Sequence, residues 1–231
     1  MHPRDAVMTE PSRLRAAFSG WNLSWSSTRS NGQGEWWFLG QMALIVAVIL
    51  VPAWPDPGLF KLPAAGHQAL MAMGSLLLVS GLGLATAAFV QLGANLSPLP
   101  DPKPGIQLVG SGVYRLCRHP IYLAVLLCAT GVTIQRFSVL HLFLLLALAW
   151  LLRGKARREE EGLQRRHPQY AQMFQTTAAI APWIVGLNWS VEEAKRNQHI
   201  RLISGETRSQ TENRISAGEH IKTICSFWHR S

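Results

Sequence analysis

The chain has little charge and little cysteine, and each shortage excludes something. Charged residues make up 15% of its 231 residues, against about 25% in an ordinary soluble domain. Three cysteines, Cys117, Cys128 and Cys225, are an odd number without metal-motif spacing. They read as reduced thiols, with no disulfide framework and no zinc or other metal site. Acidic residues are also few, 13 against 22 Lys and Arg, for a net charge of +9. Such a basic chain has the charge to bind nucleic acid, but its long apolar runs make a membrane surface the better partner, and no nucleic-acid or obligate protein partner is expected. The first 35 residues lack the apolar stretch of a signal peptide. They read as a flexible polar leader, rich in Ser, Asn and Gly from Gly20 to Gly34.

What is abundant is apolar sequence, 48% of the chain, with nine Trp and thirteen Pro. Four segments stand out: 36–53, 67–92, 120–134 and 137–152. The first opens on Trp36-Trp37-Phe38 and closes near Trp54, an aromatic belt at each end. The second contains Gly74, Gly81 and Gly83, small residues that allow close helix approach. The third is short for an upright crossing. The third and fourth, linked at Gln135-Arg136, read as an antiparallel helical hairpin. A polar helix is predicted to continue from Lys155 to about Phe174, and an interfacial segment to follow from Ala178 to Val185. The expected fold is all-α and polytopic, with about four transmembrane helices. Residues 36–185 form the membrane domain, between the leader at 1–35 and a polar basic tail at 186–231.

Basic residues orient these segments. With four crossings, one side carries twenty Lys and Arg and the other only Lys61 and Arg136. The basic side faces the cytoplasm. An integral protein of a bacterial inner membrane, or its equivalent, with both termini cytoplasmic, is therefore expected.

Two polar clusters interrupt the pattern. Gly112 to Tyr122 packs two tyrosines, two arginines, a histidine and a proline between apolar segments. Pro120 suits the first turn of a helix, with His119 as a capping residue before it. Arg115 and Arg118 read equally as snorkelling anchors. Glu159-Glu160-Glu161 reads by itself as a solvated run, with Lys155 and Arg157 pairing to Glu159 and Glu161. If the hairpin is closed, the two clusters meet on one face of the membrane. A carboxylate held there is costly unless it is paired or used.

Together the motifs resemble the isoprenylcysteine carboxyl methyltransferases, relatives of the membrane phospholipid methyltransferases. The residues are Leu108-Val109-x-x-Gly112-Val113-Tyr114, Arg118-His119-Pro120-x-Tyr122 and Glu159-Glu160-x-x-Leu163, supported by His167-Pro168-x-Tyr170 and Ala181-Pro182-Trp183. The resemblance covers about residues 81–183. It implies an integral-membrane enzyme that uses S-adenosylmethionine to methylate a lipophilic or small-molecule acceptor. Leu108, Val109, Tyr114, His119, Pro120, Ile121, Tyr122, Glu159 and Glu160 would contact the cofactor, and Lys155 the acceptor. His119 and Arg118 would serve catalysis, His119 as base for an amine or thiol, Arg118 by orienting an acid group. The family pattern has Arg where Lys155 stands, and often His where Ile106 stands. Two other functions fit parts of the chain. Sterol reductases carry a similar Arg-His-Pro-x-Tyr element and use a nicotinamide cofactor. A membrane adaptor with a basic tail would explain composition but not the spaced motifs.

Overall fold

A computed structural model describes residues 34–54, 63–93 and 108–191. The leader up to residue 33, Ile106, Cys225 and nearly all of the expected tail lie outside the described residues. Among the described residues there are five α-helices and no strand: α1 Glu35–Leu50, α2 Ala64–Leu92, α3 Pro120–Arg136, α4 Val139–Arg166 and the short α5 Tyr170–Met173. A 3-10 turn, Gly112–Arg115, precedes α3. Backbone contacts divide the chain after Ser190, and all five helices belong to the first unit. The all-α expectation therefore holds.

Two helices, α2 and α4, are long and apolar enough to cross a membrane. The others fall short: α1 has 16 residues and α3 has 17, about 24–26 Å at 1.5 Å per residue. Large apolar side chains stand exposed along α2 and α4, among them Leu76, Val79, Leu82, Phe143 and Leu146. In water such faces would be unfavourable; against lipid they are not.

Small residues decide how α2 packs. Its buried residues are Gly74, Gly81 and Ala88, one every seven, which places them on a single stripe. That stripe lies on α3. A Cβ at Gly131 would sit 2.6 Å from the Gly74 carbonyl oxygen, and one at Gly81 would sit 2.8 Å from that of Ala124. The two backbones touch where side chains would otherwise hold them apart. Gly83 is different. Nothing lies within 4 Å of a Cβ placed there, so it takes no part in the close approach expected of it. It points off the stripe.

At the other end of the bundle, α1 is tied to α4. The Trp54 N–H donates to Ser138 Oγ at 2.9 Å, and the same hydroxyl donates to the Trp54 carbonyl at 3.0 Å. Ser138 also caps α4, accepting from the His141 N–H at 3.4 Å. The link between α3 and α4 is Phe137-Ser138 rather than Gln135-Arg136, because α3 runs on to Arg136. Phe137 takes the left-handed conformation, φ 43°, and its N–H donates to the Thr133 carbonyl at 3.0 Å. The chain thus turns in two residues.

The helix predicted from Lys155 to Phe174 is interrupted. α4 stops at Arg166, and His167 is extended (φ −126°, ψ 90°). Pro168 explains this, since its ring disfavours the α conformation in the residue before it. The expected Lys155–Glu159 ion pair is also absent among the described residues. Lys155 donates instead to Gln41, while Glu161 pairs with Arg165 at 3.9 Å.

Gly81→Val should lower the thermal midpoint of the detergent-solubilised protein. The cost is about 1–3 kcal/mol, typical of overpacking. Gly83→Ala should leave it unchanged or raise it by up to about 1 kcal/mol, from helix propensity. Equal losses in the two variants would refute the stripe.

Candidate active site

The site begins with the 3-10 turn. Gly112 has φ +56°, and a Cβ there would collide with Gln91. Glycine meets both demands. The Gln91 Oε1 accepts from the Val113 N–H at 3.0 Å, which fixes the turn to the end of α2. The chain then passes through Cys117 to His119 and starts α3 at Pro120. Pro120 is the first helical residue, as expected. His119 does not cap with its side chain. Its carbonyl accepts from the N–H groups of Tyr122 and Leu123, both at 3.1 Å, and its ring turns elsewhere.

The ring meets the last turns of α4. His119 Nε2 lies 3.0 Å from Glu160 Oε1, and Nδ1 lies 3.5 Å from Glu159 Oε2. The Tyr122 ring stacks on it, with centroids 5.2 Å apart and planes 3° from parallel. The Tyr122 hydroxyl donates to Glu159 Oε1. His119, Tyr122, Glu159 and Glu160 thus come together, although 37 or more residues separate the two clusters in sequence.

The two carboxylates have different surroundings. Glu160 is fully buried. Arg118 forks onto it, with Nε to Oε1 at 2.7 Å and Nη2 to Oε2 at 3.3 Å. The Trp189 indole N–H donates to Oε2 at 2.8 Å. With His119, these partners occupy both oxygens. Arg118 also donates to the carbonyls of Thr177 and Trp189. Its side chain is buried, so it ties the protein together and has no open approach to an acceptor. Among the described residues Glu159 is held by Tyr122 and His119, and its side chain keeps 19% exposure. A carboxylate has about four lone-pair sites, so Glu159 retains acceptor capacity toward solvent.

The electrostatics follow from this arrangement. Burial alone would hold the Glu160 carboxyl high. The hydrogen bond and charge of His119, with Arg118 beside it, outweigh burial and bring it to about 2. Burial pulls the His119 imidazole down, but hydrogen bonds from Glu159 and Glu160, and their charges, outweigh it and move it up. A ring with a carboxylate at each nitrogen is therefore favoured as a cation that donates twice. In that form it has no lone pair with which to accept a proton. Burial, then the charge of Glu159, raises the Tyr114 phenol, and burial pushes the Cys117 thiol up to about 11. Both stay neutral at physiological pH.

Of the remaining expected residues, Lys155 is buried, with its Nζ 5.3 Å from the centre of the Tyr122 ring. Tyr114 is buried in the 3-10 turn and Ile121 is half-buried. Leu108 and Val109 are half-buried just before the turn. Among the described residues no hydrogen bond or ion pair joins these two to the cluster.

The segment after α5 closes over the cluster. The N–H groups of Arg118 and His119 donate to the carbonyls of Ala178 and Ala179 at 2.8 and 3.0 Å. Ala179, Ile180 and Ala181 are fully buried, while Trp183 and Val185 are exposed. The stretch read as interfacial is thus half core. Asn188 Oδ1 accepts from the Ala179 N–H at 3.3 Å, which brings Trp189 onto Glu160. Trp189 fell in the expected tail, and no signal in the sequence marks it. Gln41 was missed too, but it had a signal. It is the lone amide in the apolar run of α1, where an unpaired polar group is costly.

The family model of the phospholipid methyltransferases matches residues 69–174. These residues form a domain of that family. The match spans most of α2, the turn, α3, α4 and α5, hence every expected site residue. It is a family of membrane methyltransferases, in line with the resemblance carried by the motifs. α1 and the closing segment 177–189 lie outside the match. No curated protein matches the chain significantly.

Acid should expose the dependence on Glu160. Its carboxylate stabilises the fold fully above its ordinary pKa of 4.5, and that contribution is lost as the pH falls through about 2. The thermal midpoint should fall across this window, and fall less in Glu160→Gln, which begins lower. Trp189→Phe, which removes one bond to the buried carboxylate, should cost about 1–3 kcal/mol at neutral pH.

Proposed function

We propose that the protein is an S-adenosylmethionine-dependent methyltransferase acting on a lipophilic, membrane-associated acceptor, of the isoprenylcysteine carboxyl methyltransferase kind. The observation that carries this reading is Glu159. It is held in place by Tyr122 and His119, partly open to solvent, inside a phospholipid methyltransferase domain.

The residues present suit the cofactor. Glu159 offers free lone pairs to hydroxyl or amino donors, and the start of α3 favours a carboxylate. Tyr114, Ile121 and the backbone of Leu108 and Val109 would line the same side. Bound there, S-adenosylmethionine supplies a methyl group already activated on a sulfonium. The protein's remaining task is to align the acceptor and keep water out. His119 and Tyr122 hold the Glu159 carboxylate; Arg118 and Glu160 hold His119. A carboxylate acceptor needs no base. This suits a histidine that donates at both nitrogens better than amine or thiol methylation, which would need a proton acceptor.

In this reading the chain crosses the membrane four times, with α3 and α4 as a hairpin and the site at the cytoplasmic face. The support is the imbalance of twenty basic residues against two, the apolar faces of α2 and α4, and the return of α4 to the start of α3. The short helices α1 and α3 would cross by thinning the bilayer locally. The family match favours neither the reductase nor the adaptor.

Calorimetric titration of the purified protein tests the reading. S-adenosylmethionine should bind, and a reduced nicotinamide cofactor should not. Glu159→Gln should weaken binding roughly tenfold to a hundredfold, from about 1.5–3 kcal/mol for a hydrogen bond to a charged group. Its folded yield should stay near normal. Unchanged affinity would remove Glu159 from the cofactor site.

A further inference from the structure

Trp183, Ile184 and Val185 stand out from the closing segment at 66%, 43% and 101% exposure. Just before them, Ala179, Ile180 and Ala181 are fully buried. A hydrogen-bonded turn holds the three exposed side chains outward. The Ile184 N–H donates to the Ala181 carbonyl at 3.3 Å, and the Leu187 N–H to the Ile184 carbonyl at 3.1 Å. The chain then returns, and the Ile180 N–H donates to the Leu187 carbonyl at 3.0 Å. Asn188 pins both arms. Its Oδ1 accepts from the Ala179 N–H and its Nδ2 donates to the Pro182 carbonyl, each at 3.3 Å. Gly186 supplies a positive φ, +90°, which glycine adopts without strain. Three large apolar side chains in succession at the tip of a fixed turn are unfavourable in water and mark a contact surface.

What that surface meets is set by α4. A Cβ at Gly186 would lie 3.9 Å from Arg153 Nη1. Arg153 is the first Lys, Arg, Asp or Glu of α4, so it marks where this helix leaves the hydrocarbon if it crosses the membrane. Trp150, 74% exposed, comes three residues earlier, about 4.5 Å deeper along the helix. The turn is therefore level with the bilayer boundary, where tryptophan is favoured. From Arg153 onward α4 carries six Lys and Arg against three Glu, an excess that suits an anionic lipid surface. The Arg153 Nε is buried and makes no hydrogen bond among the described residues. A phosphate taken by its guanidinium would lie against the turn.

We propose that the turn at 183–185 is a membrane anchor: it dips into the headgroup region of an anionic phospholipid leaflet, where Arg153 takes a lipid phosphate beside Gly186, and it thereby holds segment 177–189 closed over the site. The inference rests on α4 as a crossing helix and not on the methyltransferase reading. The inner end of the same segment brings Trp189 to Glu160, and its Ala178 and Ala179 carbonyls accept from Arg118 and His119. Lipid that binds the outer end makes local opening of the inner end costlier. This coupling lies beyond the matched residues 69–174.

The test uses the full-length protein in nanodiscs, with phospholipid brominated near the headgroup end of its chains. Trp183→Phe should remove part of the tryptophan quenching. Val185→Trp, at a fully exposed position, should add to it, and decides the matter if the first variant does not fold. Trp150→Phe is the reference, since Trp150 meets lipid wherever α4 crosses. Amide exchange over 179–188 should be about fivefold slower in phosphatidylglycerol than in phosphatidylcholine discs, equivalent to ~1 kcal/mol for one basic residue at an anionic surface. Arg153→Gln should remove that difference. A change in Trp150→Phe with none in Trp183→Phe or Val185→Trp would overturn the proposal and leave the tip to a protein contact, such as a second copy of this chain. Equal exchange in the two bilayers would overturn it as well, because no anionic lipid would then be held at the turn. No change in any of the three tryptophan variants would remove the crossing of α4 itself, and the anchor with it.

Discussion

Everything around the site depends on one buried carboxylate, that of Glu160. A charge removed from water is costly unless it is paired and hydrogen-bonded. Here Arg118 comes from just before α3, His119 from the turn into it, and Trp189 from the closing segment. Two separate stretches of chain, 118–119 and the segment that carries Trp189, are fixed to one side chain of α4. The fork of Arg118 adds direction to the attraction, since a guanidinium meets a carboxylate in a set plane. With that plane fixed, the His119 ring has little freedom, and neither does the Tyr122 ring stacked on it.

Adjacent residues on a helix point about 100° apart, and this divides the work between the two glutamates. Glu160 faces inward and is saturated. Glu159 faces the neighbouring sector, where Tyr122 and one edge of His119 hold it but do not enclose it. A single carboxylate would have to serve both as the anchor of the fold and as an acceptor for a ligand. Two in succession separate those roles without any change of backbone. His119 stands between them with one ring nitrogen toward each, and the two carboxylates favour its protonated form.

The local motifs were readable in the sequence because their chemistry is carried by residue type and spacing. His119-Pro120-x-Tyr122 announces a helix start with a ring before it, and Glu159-Glu160 sits the right distance beyond a two-residue turn. The break after Arg166 was missed although Pro168 was in plain view; the polar run on both sides of it hid the boundary. Lys155–Glu159 has the spacing of an ion pair, but tertiary partners took both members, as commonly happens when a helix is packed on several sides. Trp189 was beyond reach. Its position depends on the bonds of residues 178–188, which no periodicity encodes. Gln41 was within reach, as a lone amide among apolar residues, yet its partner sits 114 positions away.

The matched domain and its additions differ in kind. Residues 69–174 bring the two clusters together by the return of α4 to the start of α3, while a glycine seam lets α2 and α3 touch backbone to backbone. That much builds a carboxylate and a ring in fixed relation, which is chemistry common to many acceptors. The additions act on what lies next to it. Segment 177–189 covers Arg118 and Glu160 and thereby withholds them from any ligand. α1 covers Lys155, whose Nζ donates to Gln41 beside the Phe38 ring. Both additions thus bear on α4, one at its saturated carboxylate and the other at its buried lysine.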